Sequence, residues 1–304
     1  MPKRALLLGL KLAVSAGLLA WLWTRFDLAA ALERIFTMDA RFAAAAFAVL
    51  LLHGVWSAWR WRTIVRALGG ALSWTEALRL FFIAMFFNQT LSTSIAGDVA
   101  RVWMLHREGA TVGAATSGVV LERVAAMLAL IPLIALGIGL LPGPVHPGLW
   151  ALVLFALGCG LALPLAAPLA GSSTAGLAAL GRFAAAGQRI LLSARGLLVF
   201  GQSLLIHLGA GLATYLLARA AGLVPDIGLC LALTPPVLLL ATLPISFGGW
   251  GPREAALIWL FGLFGIAAAP ALAVSVALGL LVMAAGLPGG LLWLSRSART
   301  PSTG

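Results

Sequence analysis

The sequence predicts an all-α, polytopic integral membrane bundle of about seven full spans plus two re-entrant hairpins arranged as an inverted repeat. Three observations predict it. First, 62% of the 304 residues are hydrophobic and only 10% are charged, with a mean hydropathy of +1.06; soluble domains carry about 25% charged residues. Second, two runs of small and polar residues, 87–101 (FNQTLSTSIAGDVAR) and 244–254 (PISFGGWGPRE), interrupt strongly apolar sequence. Lipid cannot satisfy backbone N–H and C=O groups, so irregular backbone at membrane depth persists only where protein or a water-filled cavity surrounds it. Third, the two runs correspond at a spacing of 152 residues, pairing Ser94 with Ser246, Ala96 with Gly248, Gly97 with Gly249 and Arg101 with Arg253. Internal pseudo-symmetry with broken helices near the midplane is a transporter signature. The expectation is one membrane domain over residues 1–304, with halves at about 42–170 and 196–294.

Residues 6–23 are long enough for a first span. The Trp21, Trp23 and Arg25 border marks it as a retained span rather than a cleaved signal. Residues 27–41 place Leu28, Leu32, Ile35 and Met38 at helical spacing, as in a helix lying at the interface. Residues 42–59 form the second span, bordered by Trp59, Arg60, Trp61, Arg62 and Arg66. Ser73 and Glu76 have the spacing of a capping box. The run 77–87 behind them is too short to cross a bilayer, and it leads into the first polar run. A short helix 98–106 with Asp98 as N-cap follows, then a long span 114–141 carrying Glu122 and Arg123. After an uncharged turn at 142–147 comes a span at 149–169. Residues 171–195, with Arg182, Arg189, Arg195 and no acid, form a polar linker between the halves. Residues 196–218 span; 227–243 is broken at Thr234–Pro235–Pro236 before the second polar run; 253–264 is a short helix, and 268–294 the last span.

The net charge of +11 lies in short loops beside apolar spans, which is the positive-inside pattern rather than a nucleic-acid footprint. With both termini cytoplasmic and each polar run returning to its own side, residues 60–66, 101–107, 182–195 and 296–299 all fall inside. The hairpins then enter from opposite faces. The expected location is a bacterial-type inner membrane, with anionic lipid and the membrane itself as partners and no nucleic acid.

Charges at membrane depth cost about 2.5–3.5 kcal/mol on insertion scales, so Asp98, Arg101, Glu122, Arg123, Arg253 and Glu254 need a reason. An anionic headgroup is one. Gly248, Gly249 and Gly251 let backbone approach a ligand, Ser246 adds a hydroxyl, Pro252 suits the first helical position, and Arg253 offers bidentate geometry to phosphate. Arg101 and Arg123 are the matching cations of the first run. Asp98, Glu122 and Glu254 are candidate proton or ion-pair groups, with Asn88 and Ser94 as polar support. The bland alternative is that the charges pair structurally, as Asp98 and Arg101 can at i,i+3. His53 and His207 read as helix–helix hydrogen-bonding groups rather than a proton relay. Cys159 and Cys230 stand alone in apolar runs, as small buried hydrophobes do. No catalytic triad, metal-ligand spacing, P-loop or dinucleotide fingerprint occurs, so no catalytic residue, metal or cofactor is assigned.

Asn88, Gly97–Asp98 with Arg101, the Leu121–Glu122–Arg123 triplet, and the run 244–251 with Glu254 together resemble the membrane region of lysylphosphatidylglycerol synthases and the flippase-like UPF0104 group. The chain departs from that pattern in two places. Ser92–Thr93 stands near a usual proline and Ala96 replaces a glycine; the last span has small residues around Gly279 where an arginine is common. The resemblance implies a lipid flippase-like module handling a phospholipid or polyprenyl-linked lipid, with a lipid-synthesising enzyme as a possible partner. Residues 1–304 contain no cytosolic transferase domain, so no aminoacyl-transferase activity is expected. The alternatives are a membrane-embedded transferase acting on a lipid-linked substrate, or a structural partner of a lipid-modifying enzyme.

Overall fold

The computed structural model describes residues 33–90, 96–140, 147–166, 168–169, 173–241, 250–262 and 265–297. The expected first span at 6–23, residues 27–32 of the expected interfacial helix and the tips of both polar runs lie outside these residues. Ten helices of eleven residues or more are described: α1 (Ala40–Ala67), α2 (Trp74–Thr90), α3 (Ala96–Arg107), α4 (Val112–Leu140), α5 (Pro147–Ala166), α6 (Ala175–Leu191), α7 (Ala194–Ala220), α8 (Ile227–Ala241), α9 (Pro252–Gly262) and α10 (Ala268–Ser297). Four of them, α1, α4, α7 and α10, are long and apolar enough to cross a membrane. Leu136, Leu154, Leu165, Leu197, Leu287 and Leu291 are exposed on the helix exteriors. Apolar exposure on this scale is anomalous in water and is what a lipid-facing surface requires. The protein is an all-α, polytopic membrane bundle.

The order of elements repeats. Helices α1 to α4 are 28, 17, 12 and 29 residues long, and α7 to α10 are 27, 15, 11 and 30. Corresponding helices start 153 to 156 residues apart. Packing repeats too. The short helix α2 packs on α10, and its counterpart α8 packs on α4, so each run lays its short helix against the other run's long one. Glycines permit the approach: a Cβ at Gly289 would strike the Phe82 carbonyl, and one at Gly137 would lie 2.6 Å from Ala232 Cβ.

The largest helix pair is α1 with α7, and the two run antiparallel. Asp39 N–H donates to the Ala220 carbonyl (2.9 Å), Arg219 lies over the Phe42 ring at 5.4 Å, Val49 stands opposite Gly209, and at the other end Arg60 Nη1 donates to Ser203 Oγ (3.0 Å). Around this pair gathers the main core, which includes Ala46, Leu50, Leu217, Leu233, Leu257, Phe261 and Leu272.

Helices α2 and α3 form a hairpin. Ser73 and Glu76 make the expected capping box: Ser73 N–H donates to Glu76 Oε2 (3.1 Å) and Glu76 N–H to Ser73 Oγ (3.2 Å). The open end is tied by Arg79 Nη2 to Glu108 Oε1 at 3.0 Å, and the tip by Gly97 N–H to Asn88 Oδ1 at 2.8 Å. At 1.5 Å per residue, neither helix reaches across the roughly 30 Å hydrocarbon core.

Three sequence expectations change. The polar linker at 171–195 is mostly helix α6. Its buried Ala178, Gly181, Ala184 and Gly187 recur every third residue, so small side chains press the helix onto its neighbours while Arg182 and Arg189 stay exposed. The aromatic and basic border at 59–66 is the continuation of α1; Trp61 is fully buried rather than a belt residue, and Arg60 is buried beside it. Residues 234–236 do not break α8. Thr234 Oγ1 bonds the Cys230 carbonyl (2.8 Å), and in a membrane helix such side chains and neighbouring helices compensate for proline's missing N–H.

Candidate functional site

Five ionisable side chains from three helices meet beneath the α2–α3 hairpin. Asp98 and Arg101 come from the first turns of α3, Glu122 and Arg123 from α4, and Arg60 from α1. Arg101 holds the centre: Nη2 donates to Asp98 Oδ1 (2.6 Å) and Nη1 to Glu122 Oε2. Arg60 Nη2 takes the other Glu122 oxygen at 3.1 Å and its Nη1 takes Ser203 of α7. Arg123 Nε donates to Asp98 Oδ2 (2.8 Å), as does its Nη2. The Arg101 guanidinium also lies 5.1 Å from the Trp61 ring centroid and 5.3 Å from Phe81.

Asp98 does not cap α3 as expected, because the helix begins two residues earlier and Asn88 supplies the oxygen that the Gly97 N–H needs. A Cβ at Gly97 would collide with the Ala84 carbonyl, so a glycine lets α3 start against the wall of α2. That contact brings Asp98 and Arg101 to α4.

Four members are nearly dry: Arg60, Asp98, Arg101 and Glu122 are each 7% exposed or less. Only the Arg123 side chain, 39% exposed, opens the set to its surroundings. Among the described residues, three arginines against two carboxylates leave one positive charge. Removing one partner from such a set strands the others without water.

The second polar run builds a smaller counterpart. Pro252 opens α9, as expected. Gly251, at φ +93°, is in the left-handed region that favours glycine, and its N–H donates to Glu254 Oε2 (2.6 Å). Arg253 Nη2 and Nε reach Glu254 Oε1 at 2.6 and 3.0 Å, and Ser275 of α10 donates to the same oxygen at 3.1 Å. Trp250 lies 4.5 Å beneath the Arg253 guanidinium. A Cβ at Gly279 would occupy the guanidinium's place. The small residue that departs from the family's pattern in the last span is therefore the one that makes room for Arg253.

Of the residues singled out by sequence, Asp98, Arg101, Glu122 and Arg123 meet in one network with Asn88 behind them, while Gly251, Arg253 and Glu254 meet in another. No hydrogen bond of Arg253 or Glu254 reaches the first network. Ser94, Ser246, Gly248 and Gly249 lie outside the described residues. Sequence reasoning missed Arg60, Trp61, Ser203, Ser275 and Gly279. Arg60 carried a usable signal, since it stands on the same helical face as Leu50, Ser57 and Ile64, all buried.

A family model described as "Lysylphosphatidylglycerol synthase TM region" matches residues 8–290. No curated protein matches the chain significantly.

Proposed function

Given that this chain belongs to the lysylphosphatidylglycerol synthase transmembrane-region family, a family of membrane proteins tied to lipid metabolism or translocation, we propose that it is a flippase-like translocase moving an anionic or lipid-linked headgroup between leaflets. The observation that carries this reading is the buried network of three arginines and two carboxylates, which keeps a surplus positive charge and has a partly exposed arginine at its edge. A phosphate approaching the exposed edge of Arg123 meets a guanidinium charge already oriented by Asp98 and, behind it, Arg101 fixed by its own partners. The second half-site, with Arg253, Gly251 and the run containing Ser246, Gly248 and Gly249, contacts the headgroup in the opposite access state. Acyl chains remain in lipid throughout.

The matching helix lengths, the reciprocal packing of α2 on α10 and α8 on α4, and the antiparallel α1–α7 pair support an inverted repeat with two re-entrant hairpins. In this reading both termini are cytoplasmic, the membrane is a bacterial-type inner membrane, and a lipid-synthesising enzyme supplies the substrate.

Proteoliposomes with fluorescent anionic phospholipid in one leaflet provide the test. Arg123→Ala and Arg253→Ala are each expected to slow translocation by about tenfold or more, as loss of a charged hydrogen bond of ~1.5–3 kcal/mol implies. Wild-type rates in both variants overturn the site. A wild-type protein that moves no lipid overturns the function and favours a scaffolding role.

A further inference from the structure

At the end of the α1–α7 pair away from the buried charge network, the chain leaves a cleft of about 570 Å³. Arg34, Thr37 and Asp39 line it from the segment ahead of α1, and Arg219, Ala221 and Gly222 from the end of α7. Arg219 lies sixteen residues beyond Ser203 on α7, about 24 Å along the axis at 1.5 Å per residue. Ser203 is bonded to Arg60 of the network, so network and cleft stand toward opposite surfaces of the roughly 30 Å hydrocarbon core. The helical turn at 33–36 has the character of an interfacial segment. Ile35 and Met38 pack against the main core, Phe36 is 87% exposed, and Thr37 Oγ1 closes the turn on the Glu33 carbonyl at 3.0 Å.

Both arginines of the cleft are anchored with donors to spare. Arg34 Nη1 donates to the Ala221 carbonyl at 3.2 Å. Arg219 Nη1 donates to the Tyr215 hydroxyl at 3.3 Å, and its guanidinium lies over the Phe42 ring. Each is half-buried. A guanidinium has five N–H groups, and Nε and Nη2 of each arginine bond no described residue. The end of α7 would ordinarily oppose an anion, because its last carbonyls carry partial negative charge. Here those carbonyls are engaged: Ala220 by the Asp39 N–H (2.9 Å), Ala221 by Arg34, and Arg219 by the Gly222 N–H (3.0 Å). Two arginines against Asp39 leave the lining one positive charge. Arginine otherwise crowds the far end of this helix pair, at 60–66 on α1 and at 195 on α7. The positive-inside bias disfavours it at the end where the cleft lies.

We propose that Arg34 and Arg219 form a binding cleft for the phosphate of a phospholipid headgroup in the leaflet opposite the buried network. The spare guanidinium N–H groups supply charged donors from two sides, the arrangement that suits a tetrahedral phosphate. Asp39 sets the charge of the ligand. It stands exposed at the rim with Oδ1 accepting the Arg41 N–H at 2.8 Å, and its carboxylate opposes a dianion. The cleft therefore fits the single charge of a lipid phosphodiester better than inorganic phosphate. The depth of the 33–36 turn points the same way, since Phe36 beside Arg34 faces the region where headgroups and acyl chains meet. None of the lining residues belongs to either polar run. The inference goes beyond the translocase reading, because it concerns binding at the far surface and stands whether or not lipid crosses.

Photo-crosslinking of the whole chain in phosphatidylcholine nanodiscs tests it, with phosphatidylglycerol carrying a diazirine next to its headgroup as the probe. Mass spectrometry of the digest is expected to find the crosslinks enriched at residues 33–41 and 215–223. Arg34→Gln with Arg219→Gln keeps a donor at each position but removes both charges. This pair is expected to lower those crosslinks about tenfold, the effect of one charged hydrogen bond. Unlabelled phosphatidylglycerol is expected to compete, and inorganic phosphate at the same concentration is not. Thr37→Trp, at an exposed position, fills the cleft with both arginines in place and is expected to remove the crosslinks as well. Crosslinks that show no enrichment at the two segments in the wild type, or that persist undiminished in Thr37→Trp, overturn the proposal even if the charge variants fail to fold. Equal competition by inorganic phosphate overturns the assignment to lipid. A wild-type protein that crosslinks as expected but moves no lipid leaves this site standing and counts against the translocase reading alone.

Discussion

At the scale of single residues, the most consequential positions are those that join charges in the dry interior. Glu122 binds Arg60 and Arg101 together. Glu122→Gln leaves one of them facing a neutral amide and is expected to destabilise the protein by about 3–5 kcal/mol, the typical cost of stranding a buried charge; thermal unfolding in detergent measures it. Gly279→Ala sets a methyl group where the Arg253 guanidinium lies and is expected to cost about 1–3 kcal/mol as overpacking does. A Gly279→Ala protein as stable as the wild type would show that Arg253 has another place to go. The charges were legible in the sequence because charge is rare in apolar spans. Arg60 was not, because an arginine among Trp59, Trp61 and Arg62 has the composition of an interfacial border, and only its helical phase, shared with Ser57 and Ile64, points inward.

At the scale of elements, the α2–α3 hairpin places the site. Its tip depends on Asn88, and Asn88→Leu leaves the part-buried Gly97 N–H unsatisfied, for an expected loss of about 1–3 kcal/mol together with slower lipid movement. Its entry depends on the Ser73–Glu76 box. The Ser73 hydroxyl and backbone N–H hold the Glu76 carboxyl below its ordinary value. The contribution of this cap is accordingly complete above the ordinary carboxylate range and is lost as pH falls through the lowered value. Ser73→Ala, worth about 1 kcal/mol, is expected to remove that acid-side dependence from the melting temperature. The box could be read directly, since both partners lie within one turn. Helix α6 could not. Its arginines and short side chains look like a linker, and the burial of Ala178, Gly181, Ala184 and Gly187 exists only because α5 and α7 stand close enough for small residues to fit between them.

At the scale of the whole molecule, two runs of four helices exchange their short elements, and α1 and α7 cross as the central pair. If the chain is oriented by its positive charge, a cysteine introduced at position 185 on α6 reacts with an impermeant thiol reagent from the cytoplasmic side. Labelling from the opposite face would overturn the topology and with it the opposed entry of the hairpins. The offset of 152 between the polar runs was visible as matched small residues. The longer correspondence, which places His53 and His207 at the same point of α1 and α7, emerges once helix boundaries are known, because the linking segments differ in length and shift the register by a few residues.

The sequence by itself determined the class of molecule, its helical content, the family, and which short stretches are too polar for lipid. These follow from composition and local spacing, and the bilayer enforces both. Only the tertiary structure decided who pairs with whom: that Glu122 is shared by Arg60 and Arg101, that Gly279 is the seat of Arg253, and that Arg60 of α1 reaches Ser203 of α7. Such pairings join residues far apart in the chain, and they are fixed by how closely backbones can approach, a property that belongs to pairs of helices and not to either one alone.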